Sequence, residues 1–227
     1  MAQARVDVIS IGTLSRNLLW KESEPVRTPH ATTTLIRATK KTILIDPGLP
    51  GQILAARLFE RTGLRPDAVD TIFLTNSRPS HRGGLAAFPN ARVLIHESER
   101  ERALVEIAMH LDEADEEDDD RATLTAELKL LQSLKTAPDA LAPQVELFPL
   151  FGYTAGTCGV LVTGPTQTTL IAGDAVASVD HLLAGQVLPG CFNLQQAKES
   201  LAEVYEIADV VVPGHDNVLL NPRAYGG

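Results

Sequence analysis

The sequence predicts an α/β protein, with short strands of mixed direction and helices interspersed between them, and three observations carry that expectation. Apolar or β-branched runs such as KTILID and CGVLVT recur along the chain, bounded by Gly, Pro, Asn or Asp. Between several of them the apolar positions fall three or four residues apart, the spacing of an amphipathic helix. The runs TTTLIR (32–37) and KTILID (41–46) are separated only by a short polar turn. They read as a hairpin, which argues against a purely parallel, doubly wound sheet.

The elements follow in order. After the hairpin, Pro-Gly-Leu-Pro-Gly leads into a helix expected over about 51–62, with Leu54 and Leu58 on one face. Gly63 is placed to end it, because glycine adopts the left-handed conformation at little cost. TIFLTN (71–76) and RVLIHE (92–97) are two further strands, followed by a helix over about 98–110. An acid run at 112–120 precedes renewed helical spacing over 121–134, so that about 111–135 reads as an acidic helical segment, most simply a solvated connection. VELFPL (145–150), CGVLVT (158–163), TTLIAGD (168–174) and VVVPGH (210–215) supply the later strands. Between the last two, Leu194, Ala197, Leu201, Val204 and Ile207 mark an amphipathic helix. With no low-complexity linker and no internal repeat, residues 1–227 are expected to form a single domain.

Composition removes some function classes. A chain that is 44% hydrophobic and 22% charged is ordinary for a water-soluble fold, and 4% aromatic residues leave few platforms for stacking bases. Nucleic acid is therefore not an expected partner. The net charge of −9 is local, because eight acidic residues lie between Asp112 and Asp120. The N-terminal residues MAQARVDVIS lack the pattern of a secretory signal, and no apolar run is long enough to span a membrane. Cys158 and Cys191 lack CxxC spacing and read as reduced thiols. A cytoplasmic protein with a small-molecule ligand and no membrane partner is expected, with its oligomeric state open.

Four polar stations stand at strand ends: Asn76 to His81, Gly152-Tyr153-Thr154, Gly173-Asp174 and Gly214-His215. In a layered αβ fold such ends converge on one edge. His81, before Arg-Gly-Gly, reads by itself as a turn histidine. His96 reads as packing, and Asp46 as a structural carboxylate that accepts hydrogen bonds from a neighbouring loop.

The order and spacing of these stations resemble the metallo-β-lactamase superfamily. In that family a strand ending in Asp-x-Gly precedes a loop T-H-x-H-x-D-H-x-G-G. Here Asp46 and Gly48 stand in ILIDPG, and TNSRPSHRGG (75–84) fills the loop frame. GYTAG (152–156) matches a later G-H-T-x-G turn, Asp174 matches the bridging aspartate, and His215 matches the last histidine. The resemblance implies a four-layer αβ/βα sandwich of two mixed sheets flanked by helices, with the site along one edge.

The departures restrict the chemistry that the resemblance implies. Asn76, Arg78 and Tyr153 stand where the family has three histidines, and Ser80 stands where it has a metal-ligating aspartate. Amide, phenol and hydroxyl are poor zinc ligands at neutral pH, and arginine has no free lone pair. A guanidinium about 5 Å from a divalent ion costs roughly 7 kcal/mol at an effective dielectric near 20. What remains is His81, Asp174 and His215, a set for one divalent ion (zinc, iron or manganese) or for none. Arg78 either turns outward to bind an anionic substrate or fills the vacancy and pairs with Asp174.

Two functions are consistent with this. The first is a metallo-hydrolase of reduced metal content acting on a small ester, thioester or lactone. Asp174 would serve as base, Tyr153 as oxyanion donor, and Arg78, Asn76, Ser80 and His181 as substrate contacts. The second is a metal-free, inactive binding or scaffold protein of the same fold.

Overall fold

A computed structural model describes residues 3–114 and 120–222, and in it two six-stranded mixed sheets pack face to face with helices on their outer faces. The first sheet runs in sequence order: β1 Arg5–Ser10, β2 Thr33–Ala38, β3 Lys41–Ile45, β4 Thr71–Leu74, β5 Arg92–Ile95 and β6 Lys135–Thr136. Its first three strands are antiparallel and β3 to β6 are parallel. The second comprises β7 Ala140–Ala142, β8 Val145–Pro149, β9 Cys158–Thr163, β10 Thr168–Gly173, β11 Val210–Pro213 and β12 Leu219–Leu220, also in sequence order. Only β10 and β11 pair in parallel there.

Strand alternation explains how the layers assemble. Ile43, Ile45, Phe73 and Leu94 face inward and meet Val145, Val160, Ile171 and Val212 from the second sheet. Their neighbours Leu44, Ile72, Leu74 and Ile95 point outward and are covered by α1 (Gly51–Thr62), α2 (Glu97–Glu113) and α3 (Asp120–Ser133) through Leu54, Leu58, Ile107 and Leu131. On the opposite face Leu170, Ala172 and Val211 pack against Leu201 and Val204 of α5 (Leu194–Ile207).

The helix expected over 51–62 occupies those residues, and Gly63 ends it at φ 72° with its N–H on the Phe59 carbonyl. Of the acidic segment, Asp112 and Glu113 close α2 and Asp120 opens α3, while 115–119 lie outside the described residues. The structure adds β1, β6, β7 and β12, which the apolar runs did not mark. His181 lies in a short helix, α4 (Val179–Ala184), capped by the Ser178 side chain. Among the described residues no helix is long and apolar enough to cross a membrane. Neither cysteine is in a disulfide.

Candidate metal centre

β3, β4, β10 and β11 all end at the same edge, and each delivers one part of a buried polar cluster. Asp46 follows β3 directly, in a left-handed conformation (φ 48°) that turns the chain toward Gly48. A Cβ on Gly48 would meet the backbone of Ala31 and Ser80 at 2.5–2.6 Å, so the turn admits no larger residue. Thr75 and Asn76 follow β4, and a 3₁₀ turn over Pro79–His81 brings His81 back beneath them. Asp174 follows β10, and His215 comes two residues after β11.

The carboxylate of Asp46 accepts from the Thr75 backbone N–H (2.9 Å) and hydroxyl (2.7 Å), and its Oδ2 lies 3.0 Å from His81 Nδ1. It is thus the structural acceptor that its position suggested, and it also holds an imidazole. His81 Nε2 then points at Asp174 Oδ2, 3.0 Å away. From the other side His215 Nδ1 faces the carbonyls of Thr13 (3.1 Å) and His30 (3.0 Å), so Nδ1 carries the proton. Its Nε2 is turned to Asp174 Oδ1 at 3.0 Å. That approach lacks hydrogen-bond geometry, and Oδ1 is left a buried oxygen without a hydrogen-bond partner. One carboxylate therefore receives an imidazole Nε2 on each of its two oxygens, and both imidazoles are anchored from behind by oxygen acceptors.

Electrostatics follow from that geometry. Burial would push the His81 imidazole down, but Asp174 and Asp46 on its two sides outweigh it and hold the pKa up at about 10. Burial would raise the Asp174 carboxyl, yet His81 and His215 hold it well below the ordinary value. An imidazole lone pair facing a carboxylate oxygen is repulsive unless a cation, proton or metal ion, lies between them.

The ligand atoms of His81, Asp174 and His215 lie within 4.8 Å of one another, the one such group among the described residues. Two imidazoles and a carboxylate, each imidazole backed by an acceptor, fit a single divalent ion. They do not supply a second site.

The positions that depart from the family motif go elsewhere. The Asn76 side chain is buried; its Oδ1 accepts from the Arg78 backbone N–H (3.0 Å). Its Nδ2 is thereby aimed at Asp174 Oδ2 (3.0 Å) and His81 Nε2 (3.3 Å). Arg78 does not fill the vacancy or pair with Asp174: its guanidinium lies 4.7 Å over the Tyr153 ring. The Asn76 amide makes the bond to Asp174 instead, because it is short enough to stay beneath the loop. Tyr153 is pushed above its ordinary pKa by burial and by the Asp174 charge, so its phenol stays protonated. Ser80 is half-buried and its carbonyl accepts from Ala31 N–H (2.8 Å). His181 is buried with Nδ1 2.7 Å from the Ser178 hydroxyl. His96 caps α2 and packs edge-on against Phe151.

Beside the cluster lies a cleft of about 540 Å³. Arg78 and Tyr153 line it, whereas His81, Asp174 and His215 do not, so the stacked pair stands at the boundary between cleft and cluster. A residue that sequence reasoning passed over holds this boundary. Glu99, only 2% exposed, accepts from Ser77 N–H and hydroxyl (both 2.8 Å), Thr154 hydroxyl (2.6 Å) and Gly156 N–H (3.0 Å). It thus ties the loop of Arg78 to the loop of Tyr153. A Cβ on Gly156 would sit 2.1 Å from the Glu99 nitrogen, a closeness that no other residue type allows and the one trace of the clamp in the sequence.

The family model described as "Metallo-beta-lactamase superfamily" matches residues 27–215. No curated protein matches the chain by sequence. Among solved structures, a Thermotoga maritima protein described as a metallo-beta-lactamase aligns with TM-score 0.68 at 18% identity, covering 96% of this chain and all 100% of that one. AidC, a dizinc quorum-quenching lactonase with a homoserine product, aligns with TM-score 0.65 at 17% identity over 82% of this chain and 72% of its own. A variant of B. thuringiensis AiiA, with N-decanoyl-L-homoserine bound at its active site, gives 0.63 and 18% over 94% and 93%. Likeness at these identities shows a shared fold.

Proposed function

The chain belongs to the metallo-beta-lactamase superfamily, and from that premise we propose that it is a single-domain, hydrolase-type member holding at most one divalent ion and acting on a small ester, thioester or lactone. The observation that supports this best is the pair of imidazoles, each anchored at Nδ1, converging on the two oxygens of Asp174. His81, Asp174 and His215 would hold zinc, iron or manganese. When bound, such an ion polarises a carbonyl and lowers the pKa of a water. The lactone class is favoured by AidC and AiiA, whose solved structures carry homoserine products.

The chain's own residues supply the rest. Arg78 binds the anionic part of a substrate, and protonated Tyr153 donates to the developing oxyanion. Asn76 adds a donor amide, while Ser80 and His181 complete the substrate's surroundings. Asp174 is the remaining carboxylate that can take a proton, and with two imidazoles holding its pKa low it is a weak base. Slow turnover is expected.

A second reading, a metal-free binding protein, is favoured by Asn76. Its amide nitrogen shares Asp174 Oδ2 with His81, and His81 as an imidazolium satisfies both flanking carboxylates without an ion. Elemental analysis of protein purified without added metal, followed by equilibration with zinc and dialysis, separates the readings. The hydrolase reading expects up to one equivalent, with slow cleavage of a homoserine lactone or a nitrophenyl ester. Two retained equivalents would contradict it. None retained, even after excess zinc, would establish the second reading.

A further inference from the structure

The charges around the cleft are unevenly satisfied. Three arginines and three glutamates line it. Arg82 is paired with Glu127 and also donates to the Ser77 carbonyl at 2.7 Å. Arg102 donates to Glu106 at 2.7 Å and lies over the Phe192 ring. Glu99 is saturated by its four donors. Among the described residues, Arg78 is the cleft cation whose guanidinium has neither an ion pair nor a hydrogen bond; its contact is the Tyr153 face. A cation–π contact orients a guanidinium without consuming its N–H donors.

The wall beyond Arg78 is apolar. Ile107 and Leu131, buried between α2 and α3, form the floor, with Ala103 and Ala155 beside them and Phe192, 56% exposed, at the rim. An incoming anion meets an open donor fork, whereas an incoming cation would have to break an existing pair. A second negative charge finds no second free arginine.

We propose that this cleft binds an amphiphilic monoanion, a carboxylate carrying an apolar chain or ring. The carboxylate sits on Arg78, and the apolar part lies along Ile107, Leu131 and Phe192. This names the ligand class of the site proposed above and rests on that reading only for the site's location.

The test is calorimetric titration of chelator-treated protein with decanoate, below its micellar concentration, beside acetate and decylammonium. Decanoate has no bond to hydrolyse and the protein carries no ion, so the result is independent of whether the hydrolase reading stands. One saturable decanoate site is expected, with acetate and decylammonium at least about tenfold weaker. Arg78→Gln should weaken decanoate at least about tenfold, Arg78→Lys, which keeps the charge but not the stacked fork, should bind between the parent and Arg78→Gln, and rim variant Phe192→Ala should weaken it by about three- to tenfold. Thermal melts verify that each variant is folded; should Arg78→Gln not fold, Arg78→Lys and the ligand series decide. No saturable decanoate binding, equal binding of decylammonium, or unchanged affinity in folded Arg78→Gln would each overturn the proposal.

Discussion

The two halves of the candidate site differ in what stands behind their polar groups. In the buried half every nitrogen group that faces Asp174 is fixed from the rear: His81 by Asp46, His215 by two carbonyls and Asn76 by the Arg78 backbone. In the cleft half, Arg78 rests on an aromatic face and Phe192 stands exposed under Arg102. The first half is built to hold one arrangement of charge, and the second is open to a ligand. The non-ligand residues of the motif fall on their boundary, where a second ion would need its donors. The amide that bonds Asp174 and the guanidinium left without an ion pair are therefore two aspects of one substitution pattern.

The largest effect should come from cutting the buried half at its centre. Asp174→Ala leaves two imidazoles and the Asn76 amide without the carboxylate they surround, and should cost about 3–5 kcal/mol in urea unfolding. A loss under about 1 kcal/mol would mean that the cluster is not held together as described. Next, rebuilding the boundary with Asn76→His, Arg78→His and Ser80→Asp leaves Tyr153 as the remaining non-ligand. Zinc affinity, read by chelator competition, should rise by about two orders of magnitude or more. Equal affinity in parent and triple variant would mean that the loop does not govern ion binding.

The clamp between the halves comes third. Glu99→Ala strands four donors and should destabilise by about 2–3 kcal/mol. It should also weaken decanoate binding, since the Arg78 and Tyr153 loops lose their common tether. A variant that loses stability while binding decanoate as the parent does would show that the clamp is structural alone. The smallest effect is the control: Arg102→Ala removes a half-exposed i,i+4 pair with Glu106. It should change stability by about 0.3–0.5 kcal/mol, far less than any change within the buried half.

What could be read from the sequence divides along similar lines. The helix at 51–62 was legible because its limits are local, a Pro-Gly entrance and a glycine exit. The three residues His81, Asp174 and His215 were legible as a set because they keep ligand positions of the family frame in the loops that follow apolar strands, although their partners were not. β1 escaped notice because RVDVIS places charged residues among its apolar ones, as befits an edge strand, and β6, β7 and β12 exist only through pairing with neighbours. Glu99 sits in ESERER, which reads as a solvated helix face; its partners lie 22 to 57 residues away. The direction of Arg78 was undecidable in advance, because whether it reaches inward depends on Asn76 already occupying Asp174.

The chain Asp46–His81–Asp174–His215 has a consequence for the order of folding. Asp46 and His81 belong to the first sheet's strand ends, while Asp174 and His215 belong to the second's, and the link between His81 and Asp174 spans 93 residues. Closing so long a loop carries an entropic cost that local contacts cannot offset, so this link forms only once the two sheets have docked. During synthesis the imidazole of His81 emerges with one of its two carboxylates and waits for the other until the tenth strand is made. The cluster is thus the last fastening of the fold, and a histidine signal from it would time the docking of the two halves rather than the formation of either.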